Sequence, residues 1–290
     1  MKAFSCKENQ VDKNSIKAVA IGVFDGVHRG HLELFKHLGE NGAVIVINNH
    51  KKDVLTPFYK KCCLIKYPIF FYELEDIKNL NGAEFIKLLK NEFTELKKIV
   101  VGYDFRFGVN RGFGANDIKK FFKGDIQIVD EFTYKGYSVH STLIKKLLMN
   151  AKIKEANEFL GRTYSIEGFA IKGQGIGKKS LYPTINIENK DSFFLPKDGV
   201  YASLVYLKNN LHEAVTFIGN RVSIDNSFAI ESYLLDIENI EVLPDENVEI
   251  FFVDYIRENR KFDELKELKK QIEDDILKAK EELKIFKRKG

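Results

Sequence analysis

The hydrophobic pattern of this chain changes near residue 160, and that change limits the folds available to it. Before it, short apolar runs at residues 18–22, 43–47 and 99–101 alternate with segments of helical periodicity, such as 31–38. Strands that alternate with helices are typical of βαβ units, in which a mostly parallel sheet is covered on both faces. The first part of the chain is therefore predicted to be an α/β domain.

After Gly161 the pattern becomes short strands separated by Gly, Pro and Asn turns. The candidate strands are 165–171, 184–187, 199–207, 214–219, 230–235 and 248–255. Such a series predicts an antiparallel barrel or sandwich. The segment after Arg257 carries one apolar stripe at helical spacing and predicts a long packing helix, with a membrane-surface helix as the alternative. The domain boundaries that we expect are 1–158 and 159–290.

Composition excludes several classes of protein. Of 290 residues, 46 are Lys or Arg and 42 are Asp or Glu, so the formal charge of +4 is too small for a dedicated DNA-wrapping protein. No apolar run approaches the ~20 residues of a membrane-spanning helix. The polar N-terminal sequence has no signal-peptide core, and Cys6, Cys62 and Cys63 form no metal-binding spacing, so we expect three thiols and a cytoplasmic location.

The segment GVFDGVHRGH at residues 22–31 follows a predicted strand and opens a predicted helix. This is where α/β sheets bind phosphates, and Gly26 and Gly30 leave room for a phosphate beside the backbone. His28 and His31 share one face of a helical turn and can donate hydrogen bonds to a phosphate as negative charge builds on it. Two alternatives stay open: a metal site with Asp25, or surface histidines without a role.

A second group of candidate residues lies in the β-rich part. Gly173, Gly175, Gly177 and Lys178 form a glycine- and lysine-rich loop that can wrap phosphates, or can be a flexible hairpin.

The segment PTIN at residues 183–186 places Thr184 and Asn186 on one side of a strand. Their oxygens suit Mg²⁺, although PTIN is equally compatible with the start of an edge strand. Glu231 can act as a general base on a barrel rim, or can be a solvent-facing strand residue.

Several motifs of the first part resemble the adenylyltransferase module of the bifunctional bacterial riboflavin kinase/FAD synthetases. HxGH after such a strand is typical of nucleotidyltransferases, VGYDFRFGVNR at 101–111 is similar to the family's flavin- and nucleotide-binding segment, and STLIK at 141–145 is similar to its SSTxIR segment. The resemblance implies a Rossmann-like nucleotidyltransferase domain. It also implies the following contacts: ATP at Gly22, Phe24, Asp25, Gly30, Ser141, Thr142 and Lys145, and flavin at Asp104, Phe105, Phe107 and Arg111.

The second part resembles the riboflavin kinase module of the same family. GRTY, LYPTIN, LPKDGVY and IESYLLD occur in the family's order, and the C-terminal segment is also similar. The resemblance implies a small antiparallel β-barrel with a long C-terminal helix. It further implies that Thr184 and Asn186 bind Mg²⁺-ATP, that the glycine-rich loop holds ATP, and that Glu231 is the general base.

The chain departs from the family pattern at several positions. His50 alone survives from the FxPHP segment, and His140 and Lys145 stand where the family has Ser and Arg. In the second part the departures are Thr163, Leu181, Ile185 and the pair Val222-Ser223. Leu181 replaces a glycine beside the phosphate loop, and its side chain would reduce the space beside the loop backbone.

The resemblance implies an enzyme that converts riboflavin to FMN and then FMN to FAD, with ATP as co-substrate and Mg²⁺ as cofactor. The expected partners are small molecules, with no nucleic acid and no membrane, and the expected state is a monomer or weak homo-oligomer. The alternatives are an adenylyltransferase with an inactive or weak kinase domain, an adenylyltransferase for a pantetheine or nicotinamide compound, and a flavin-nucleotide sensor or RNA-binding module.

Overall fold

The structure is a computed structural model that describes residues 11–171, 182–189, 193–235, 237 and 242–289. The chain divides into two compact units, Met1–Ser141 and Thr142–Gly290. The assignment of one function to residues 1–158 and another to 159–290 stays a prediction.

The first unit is built on a five-stranded sheet in which all pairings are parallel, in the order β3-β2-β1-β4-β7. Its inner strands are continuous apolar runs because both of their faces are buried. Residues of β1 alternate between two cores: Val19 and Ile21 face one, and Ala18 and Ala20 face the other. The prediction of an α/β, Rossmann-like sheet is confirmed. The strands are β1 Ala18–Gly22, β2 Gly42–Asn48, β3 Ile69–Glu73, β4 Lys98–Gly102 and β7 Asp125–Val129.

Helices of this unit connect the parallel strands. The N-terminus of α4 is stabilised by a reciprocal capping box: the Asn81 side chain accepts from the Glu84 N–H at 3.0 Å, and Glu84 accepts from the Asn81 N–H at 2.8 Å. The helices are α1 Arg29–Phe35, α2 Phe58–Leu64, α3 Leu74–Ile77 and α4 Gly82–Glu92. Two small ribbons complete the unit, formed by β5 Arg106–Phe107 with β6 Phe113–Gly114 and by β8 Thr133–Tyr134 with β9 Tyr137–Ser138.

The order of the strands creates a switch point between β1 and β4. The chain runs outward from β1 through β2 to β3, then crosses back to β4 on the other side of β1. Ligands of open α/β sheets bind beyond the carboxyl ends of the strands at such a point. The loops that follow Gly22 and Gly102 therefore occupy the position where a ligand site is expected.

The second unit contains helices α5 Ser141–Met149, whose first residue closes the other unit, and α6 Ile153–Leu160, followed by a closed antiparallel barrel. The strand order is β10-β11-β14-β13-β12-β15, which confirms the predicted barrel. The strands are β10 Tyr164–Ile171, β11 Ile185–Asn189, β12 Gly199–Leu207, β13 Asn210–Asn220, β14 Phe228–Leu234 and β15 Asn247–Arg257.

The predicted C-terminal helix is α7, Leu265–Lys289, which packs on the outside of the barrel. Its Ala279 and Leu283 are fully buried against outward-facing residues of β12 such as Ala202. Leu265, the first residue of α7, has the helical spacing of the apolar stripe but is 58% exposed. Within the described residues, no helix is long and apolar enough to cross a membrane.

Some predictions fall outside the described residues: those for Gly173, Gly175, Gly177, Lys178 and Leu181. The prediction that all cysteines are thiols is wrong at Cys62, which is disulfide-bonded, whereas Cys63 is an exposed free cysteine. Spacing along the chain does not reveal which sulfur atoms approach each other in space.

Candidate functional site

The loop between β1 and α1 is tightly folded, because apolar residues hold it in unusual backbone conformations. Phe24 and Val27 have positive φ angles of 52° and 40°, and both are buried, at 3% and 2% exposure. Positive φ is a genuine outlier for a β-branched residue and persists only where the surroundings enforce it. A Cβ on Gly22 would lie 3.0 Å from Cζ of Phe24, so glycine lets this ring fold back on the strand end.

The structure brings His28 and His31 together as predicted. Their rings stack with centroids 3.6 Å apart and an interplanar angle of 19°. His28 precedes the first residue of α1 and is 5% exposed, while the Phe24 ring packs edge-on against His31 at 5.1 Å. The two imidazoles therefore form one aromatic unit at the switch point of the sheet.

Gly30 packs closely against other parts of the protein. A Cβ at this position would meet both Cε1 and Nδ1 of His28 at 3.3 Å and the Val139 carbonyl oxygen at 3.3 Å. Gly26 is required by conformation, because its φ is +88° and a Cβ would lie 3.0 Å from Leu55. Each glycine thus shapes the loop that carries the histidines.

Asp25 of the same loop is bound by residues that sequence analysis missed. Its Oδ1 accepts a hydrogen bond from the Thr56 N–H at 3.2 Å. Lys61 of α2 is only 7% exposed; burial lowers the pKa of its ammonium group, and the attraction of Asp25 opposes this. No short motif marks Thr56 or Lys61, because they reach Asp25 from a distant part of the chain.

The segment after β4 presents an aromatic pair at the same edge of the sheet. The Phe105 and Phe107 rings stack with centroids 5.8 Å apart and an interplanar angle of 16°. Phe107 is 5% exposed and belongs to the core, whereas Phe105 is half-buried. Asp104 and Arg111 are exposed. Phe105, Asp104 and Arg111 are therefore more accessible to solvent than Phe107.

A polar cluster follows β7 beside this segment. Glu131 accepts hydrogen bonds from Tyr103 Oη at 3.0 Å and from Ser138 Oγ at 2.6 Å. These two hydrogen bonds, with the Ser138 bond the stronger cause, lower the pKa of the Glu131 carboxyl. The cluster was not anticipated, because its members lie on three separate segments.

His50 is held at the carboxyl end of β2. Its Nε2 lies 2.7 Å from Glu73 Oε2, and the Asn48 amide donates to both oxygens of the same carboxylate at 3.2 and 3.1 Å. Asn48 and Glu73 are partners in the β2–β3 register. The surviving histidine of the altered segment is thus fixed by a carboxylate that sequence analysis did not identify.

The predicted helix start at Ser141 is observed at the beginning of α5. Ser141 closes the first unit, while Thr142 and Lys145 belong to the second. Within the second unit, Lys145 Nζ lies 5.4 Å from the centroid of the Phe194 ring.

A second candidate site lies on the barrel, where β11 pairs with β14. Asn186 and Glu231 are direct partners in this antiparallel register. Thr184 and Asn186 are half-buried and flank the buried Ile185, as the alternation of a strand predicts. The three predicted side chains therefore share one side of the sheet.

Glu231 is an unusual carboxylate for a strand. Burial raises its pKa, and the nearby Arg221 guanidinium partly offsets this effect. Arg221 Nη1 donates to Glu231 Oε1 at 3.2 Å. Arg221 was not selected from the sequence.

At the departure Val222-Ser223, the serine hydroxyl makes a hydrogen bond: Ser223 Oγ accepts from the Phe262 N–H at 2.8 Å.

Within the described ranges, no cluster of three or more His, Cys, Asp or Glu side chains could hold a metal ion. A cation at Thr184 and Asn186 would have two neutral protein oxygens. Such a set fits Mg²⁺, which usually takes its remaining ligands from phosphates and water.

Comparisons with known proteins cover both parts of the chain. The model of the family described as riboflavin kinase matches residues 160–283, and that described as FAD synthetase matches residues 10–65. The bifunctional riboflavin kinase/FMN adenylyltransferase of Buchnera aphidicola subsp. Acyrthosiphon pisum is 34% identical, over 96% of this chain and 96% of its own. The Listeria monocytogenes protein of the same name is 28% identical, over 89% and 90% of the two chains.

A crystal structure of a Streptococcus pneumoniae protein named macrolide-efflux protein has a similar fold. Its TM-score is 0.81 and its sequence identity is 25%, and the match covers 93% of this chain and 95% of that one. The likeness supports the order of an α/β unit followed by a barrel.

Proposed function

This chain belongs to the family of bifunctional riboflavin kinases/FMN adenylyltransferases, and we propose which of its residues carry each reaction. It phosphorylates riboflavin with ATP to give FMN and ADP, and it transfers AMP from a second ATP to FMN to give FAD and pyrophosphate. The observation that carries this conclusion is the 34% identity to a bifunctional relative across 96% of both chains.

The proposed division of labour follows the two parts of the chain. Residues 1–158 would carry adenylyl transfer, and residues 159–290 would carry the kinase reaction. The matched ranges of the two family models, 10–65 and 160–283, support this order.

In adenylyl transfer, a phosphate oxygen of FMN attacks the α-phosphorus of ATP, and the bond to the pyrophosphate oxygen breaks with its electron pair. Negative charge builds on the α-phosphate oxygens as this happens. His28 and His31 would donate hydrogen bonds to these oxygens, which stabilises the transition state electrostatically. Their stacked rings at 3.6 Å support a joint action, because the packing holds both imidazoles in place.

Other residues of the first reaction would hold the substrates. Gly22, Phe24, Asp25 and Gly30 form or support the loop that carries the histidines, and ATP would bind along it. Ser141, Thr142 and Lys145 would add hydroxyl groups and a positive charge for the phosphates. On the flavin side, Phe105 would stack on the ring, Phe107 would support Phe105 from the core, and Asp104 and Arg111 would supply polar contacts.

In the kinase reaction, the 5′-hydroxyl of riboflavin attacks the γ-phosphorus of ATP. Glu231 would accept the proton from that hydroxyl, and its raised pKa suits a general base. Thr184 and Asn186 would hold Mg²⁺, which supplies positive charge to the ATP phosphates when bound. Gly173, Gly175, Gly177 and Lys178 would wrap those phosphates. The half-buried position of Asn186 opposite Glu231 supports a common site.

Residual alternatives are not favoured. An adenylyltransferase for a different acceptor leaves the riboflavin kinase match at residues 160–283 without explanation. If the chain were a weak kinase or a sensor without turnover, the carboxylate or the amide of the kinase site could be lost. Glu231 and Asn186 are both present and face each other.

We also propose a cytoplasmic location, because both reactions consume ATP. The formal charge of +4 supports small-molecule partners without nucleic acid. A monomer or weak homo-oligomer is proposed, and sedimentation velocity would determine the state.

One chromatographic assay tests the proposed function. Purified protein is incubated with ATP, Mg²⁺ and either riboflavin or FMN, with and without a flavin reductant, and the flavins are separated by retention and fluorescence. We expect FAD from both substrates. FAD from FMN alone would mean that the kinase site is inactive, and bound flavin without any product would support the sensor.

A further inference from the structure

Arg221 lies directly after β13, and the proposed chemistry above gives it no role. Its side chain is only 12% exposed, which is unusual for a charged side chain. It contacts Glu231, the proposed general base, whose side chain is 19% exposed.

The guanidinium group is held by three side chains. Nη1 donates to Glu231 Oε1 at 3.2 Å, Nη2 donates to Asp225 Oδ2 at 3.2 Å, and Nε donates to Ser227 Oγ at 3.1 Å. Asp225 Oδ1 accepts in turn from the Ser227 N–H at 3.0 Å and from Ser227 Oγ at 2.8 Å. The planar fork of Arg is therefore fixed in orientation.

The backbone of the same turn closes around Arg221. Its N–H donates to the Ser227 carbonyl at 2.9 Å, and its own carbonyl accepts from the N–H groups of Ile224 and Asp225 at 2.9 and 3.2 Å. Arg221 thus links this hydrogen-bonded turn to the Glu231 side chain on the adjacent strand β14.

We propose that Arg221 is a positioning residue of the kinase reaction, which holds Glu231 Oε1 so that Oε2 accepts the substrate proton. Among the described residues, Oε2 receives no hydrogen bond, whereas Oε1 is occupied. The inference rests on the proposed role of Glu231 as general base. The proton passes from the 5′-hydroxyl to Oε2, the hydroxyl oxygen bonds to the γ-phosphorus, and the bond to ADP breaks with its electron pair.

Arg221 also sets the charge environment of Glu231. The charged groups that act on this carboxyl are Arg221 and Asp225, both from the turn before β14, while the facing positions on β11 and β13 are the uncharged Asn186 and Phe217. Burial raises the pKa of Glu231, Arg221 lowers it, and Asp225 raises it. A general base works when deprotonated, so activity is lost as pH falls through its pKa. Without Arg221 that loss should occur at higher pH.

The experiment compares Arg221→Gln and Arg221→Lys with the unaltered protein. For each, kcat, KM for riboflavin and for ATP, and the pH profile of FMN formation are measured. For Arg221→Gln we expect kcat to fall about a hundredfold, since misplacing a catalytic group by about 1 Å costs that much. The KM values should change little, and the acidic limb of the profile should move to higher pH.

Arg221→Lys retains the positive charge but loses the planar guanidinium group and its hydrogen-bond donors in fixed directions. We expect its acidic limb to stay near that of the unaltered protein, with kcat about tenfold lower. FAD formation from supplied FMN by the same preparations should remain unchanged. If Arg221→Gln fails to fold, an unchanged kcat in Arg221→Lys would by itself overturn the inference.

Arg257 provides a matched control, because it is an arginine with an 18% exposed side chain that is paired with a buried carboxylate, Asp275. Arg257→Gln should lower thermal stability and leave the acidic limb in place. An acidic limb that moves equally in both variants would indicate a merely structural role. A raised KM for ATP in Arg221→Gln, with an unmoved limb, would mean that Arg221 contacts the nucleotide instead.

Glu231→Gln separates this inference from the proposed function. If Glu231→Gln keeps kinase activity, the general-base assignment itself is wrong. If Glu231→Gln is inactive but Arg221→Gln shows the kcat and pH profile of the unaltered protein, only the positioning role is wrong. In the Glu231→Gln background, adding Arg221→Gln should have little further effect on the residual rate, since the two residues act as a unit.

Discussion

Asn186 and Glu231 are direct partners across the antiparallel pairing of β11 with β14. Side chains at such paired positions emerge on the same side of a sheet, with Cβ atoms about 5 Å apart. An amide oxygen and a carboxylate thus lie side by side on a rigid barrel wall. This arrangement separates the proposed metal ligand from the proposed base by one strand spacing.

Replacing Asn186 with Ala should therefore raise the Mg²⁺ concentration needed for half-maximal FMN formation. Even outer-shell partners of a metal contribute about 10- to 100-fold in affinity, so a direct ligand should contribute at least about tenfold. Asn189→Ala is the matched control, because Asn189 lies on the same strand but on the opposite side. Equal Mg²⁺ titrations for the two variants would remove Asn186 from the metal site.

The stacked pair of His28 and His31 predicts a reaction-specific defect. His31→Ala removes one donor from the developing charge on the α-phosphate, and FAD formation from FMN should fall about 10²- to 10³-fold. FMN formation from riboflavin should be unaffected in the same preparation. His37→Ala, at an exposed histidine just beyond α1, should change neither rate. A parallel loss of both reactions in folded His31→Ala would contradict the assignment of separate sites.

The sheet, the barrel and the histidine pair can be predicted from the sequence, because each depends on local signals. Continuous apolar runs such as that of β1 need burial on both faces, and the spacing of three residues at a helix start brings His28 and His31 together. The same logic placed Thr184 and Asn186 together. In each case the geometry follows from backbone periodicity within a few residues.

The features that were missed depend on contacts between distant segments. Lys61 approaches Asp25 across the chain, and the His50–Glu73 pair forms only because β2 and β3 are neighbours. Arg221 reaches Glu231 through the fold of a turn. Leu265 is exposed despite its helical spacing, since it begins α7 before the helix reaches the apolar side of the barrel. Periodicity carries no information about such three-dimensional neighbours.

Gly30 should tolerate alanine in stability but not in activity. It lies within α1, where replacing glycine by alanine favours the helix by about 1 kcal/mol. The new Cβ would meet the His28 ring and the Val139 carbonyl at 3.3 Å, so both must shift by a few tenths of an ångström. A shift of that size should lower the rate of FAD formation about tenfold.

Gly39→Ala is the control for Gly30→Ala, because we expect it to lower stability and to leave activity unchanged. Gly39 has a φ of +67° and open space around it, so alanine should cost about 1 kcal/mol of stability through the left-handed conformation alone. FAD formation should be retained. Thermal unfolding and the rate of adenylyl transfer, measured on both variants, separate effects on stability from effects on catalysis. A loss of activity that tracks thermal stability in both would mean that Gly30 does not act through His28.

The last prediction concerns the ion pair that holds α7 on the barrel. Arg257 Nε donates to both oxygens of Asp275 at 2.9 Å, and Nη2 donates to Oδ2 at 2.7 Å. Asp275 is 2% exposed, so removing it leaves a guanidinium group without its buried partner. Asp275→Ala should lower the free energy of unfolding by about 3–5 kcal/mol, whereas the double change Arg257→Met with Asp275→Leu should recover most of it.

Because a chain of two units need not unfold in one step, urea titrations should follow FMN formation and FAD formation separately. We expect Asp275→Ala to lose FMN formation at lower urea than the unaltered protein. An unchanged urea midpoint for FMN formation would show that apolar packing of Ala279 and Leu283, and not the ion pair, holds the helix.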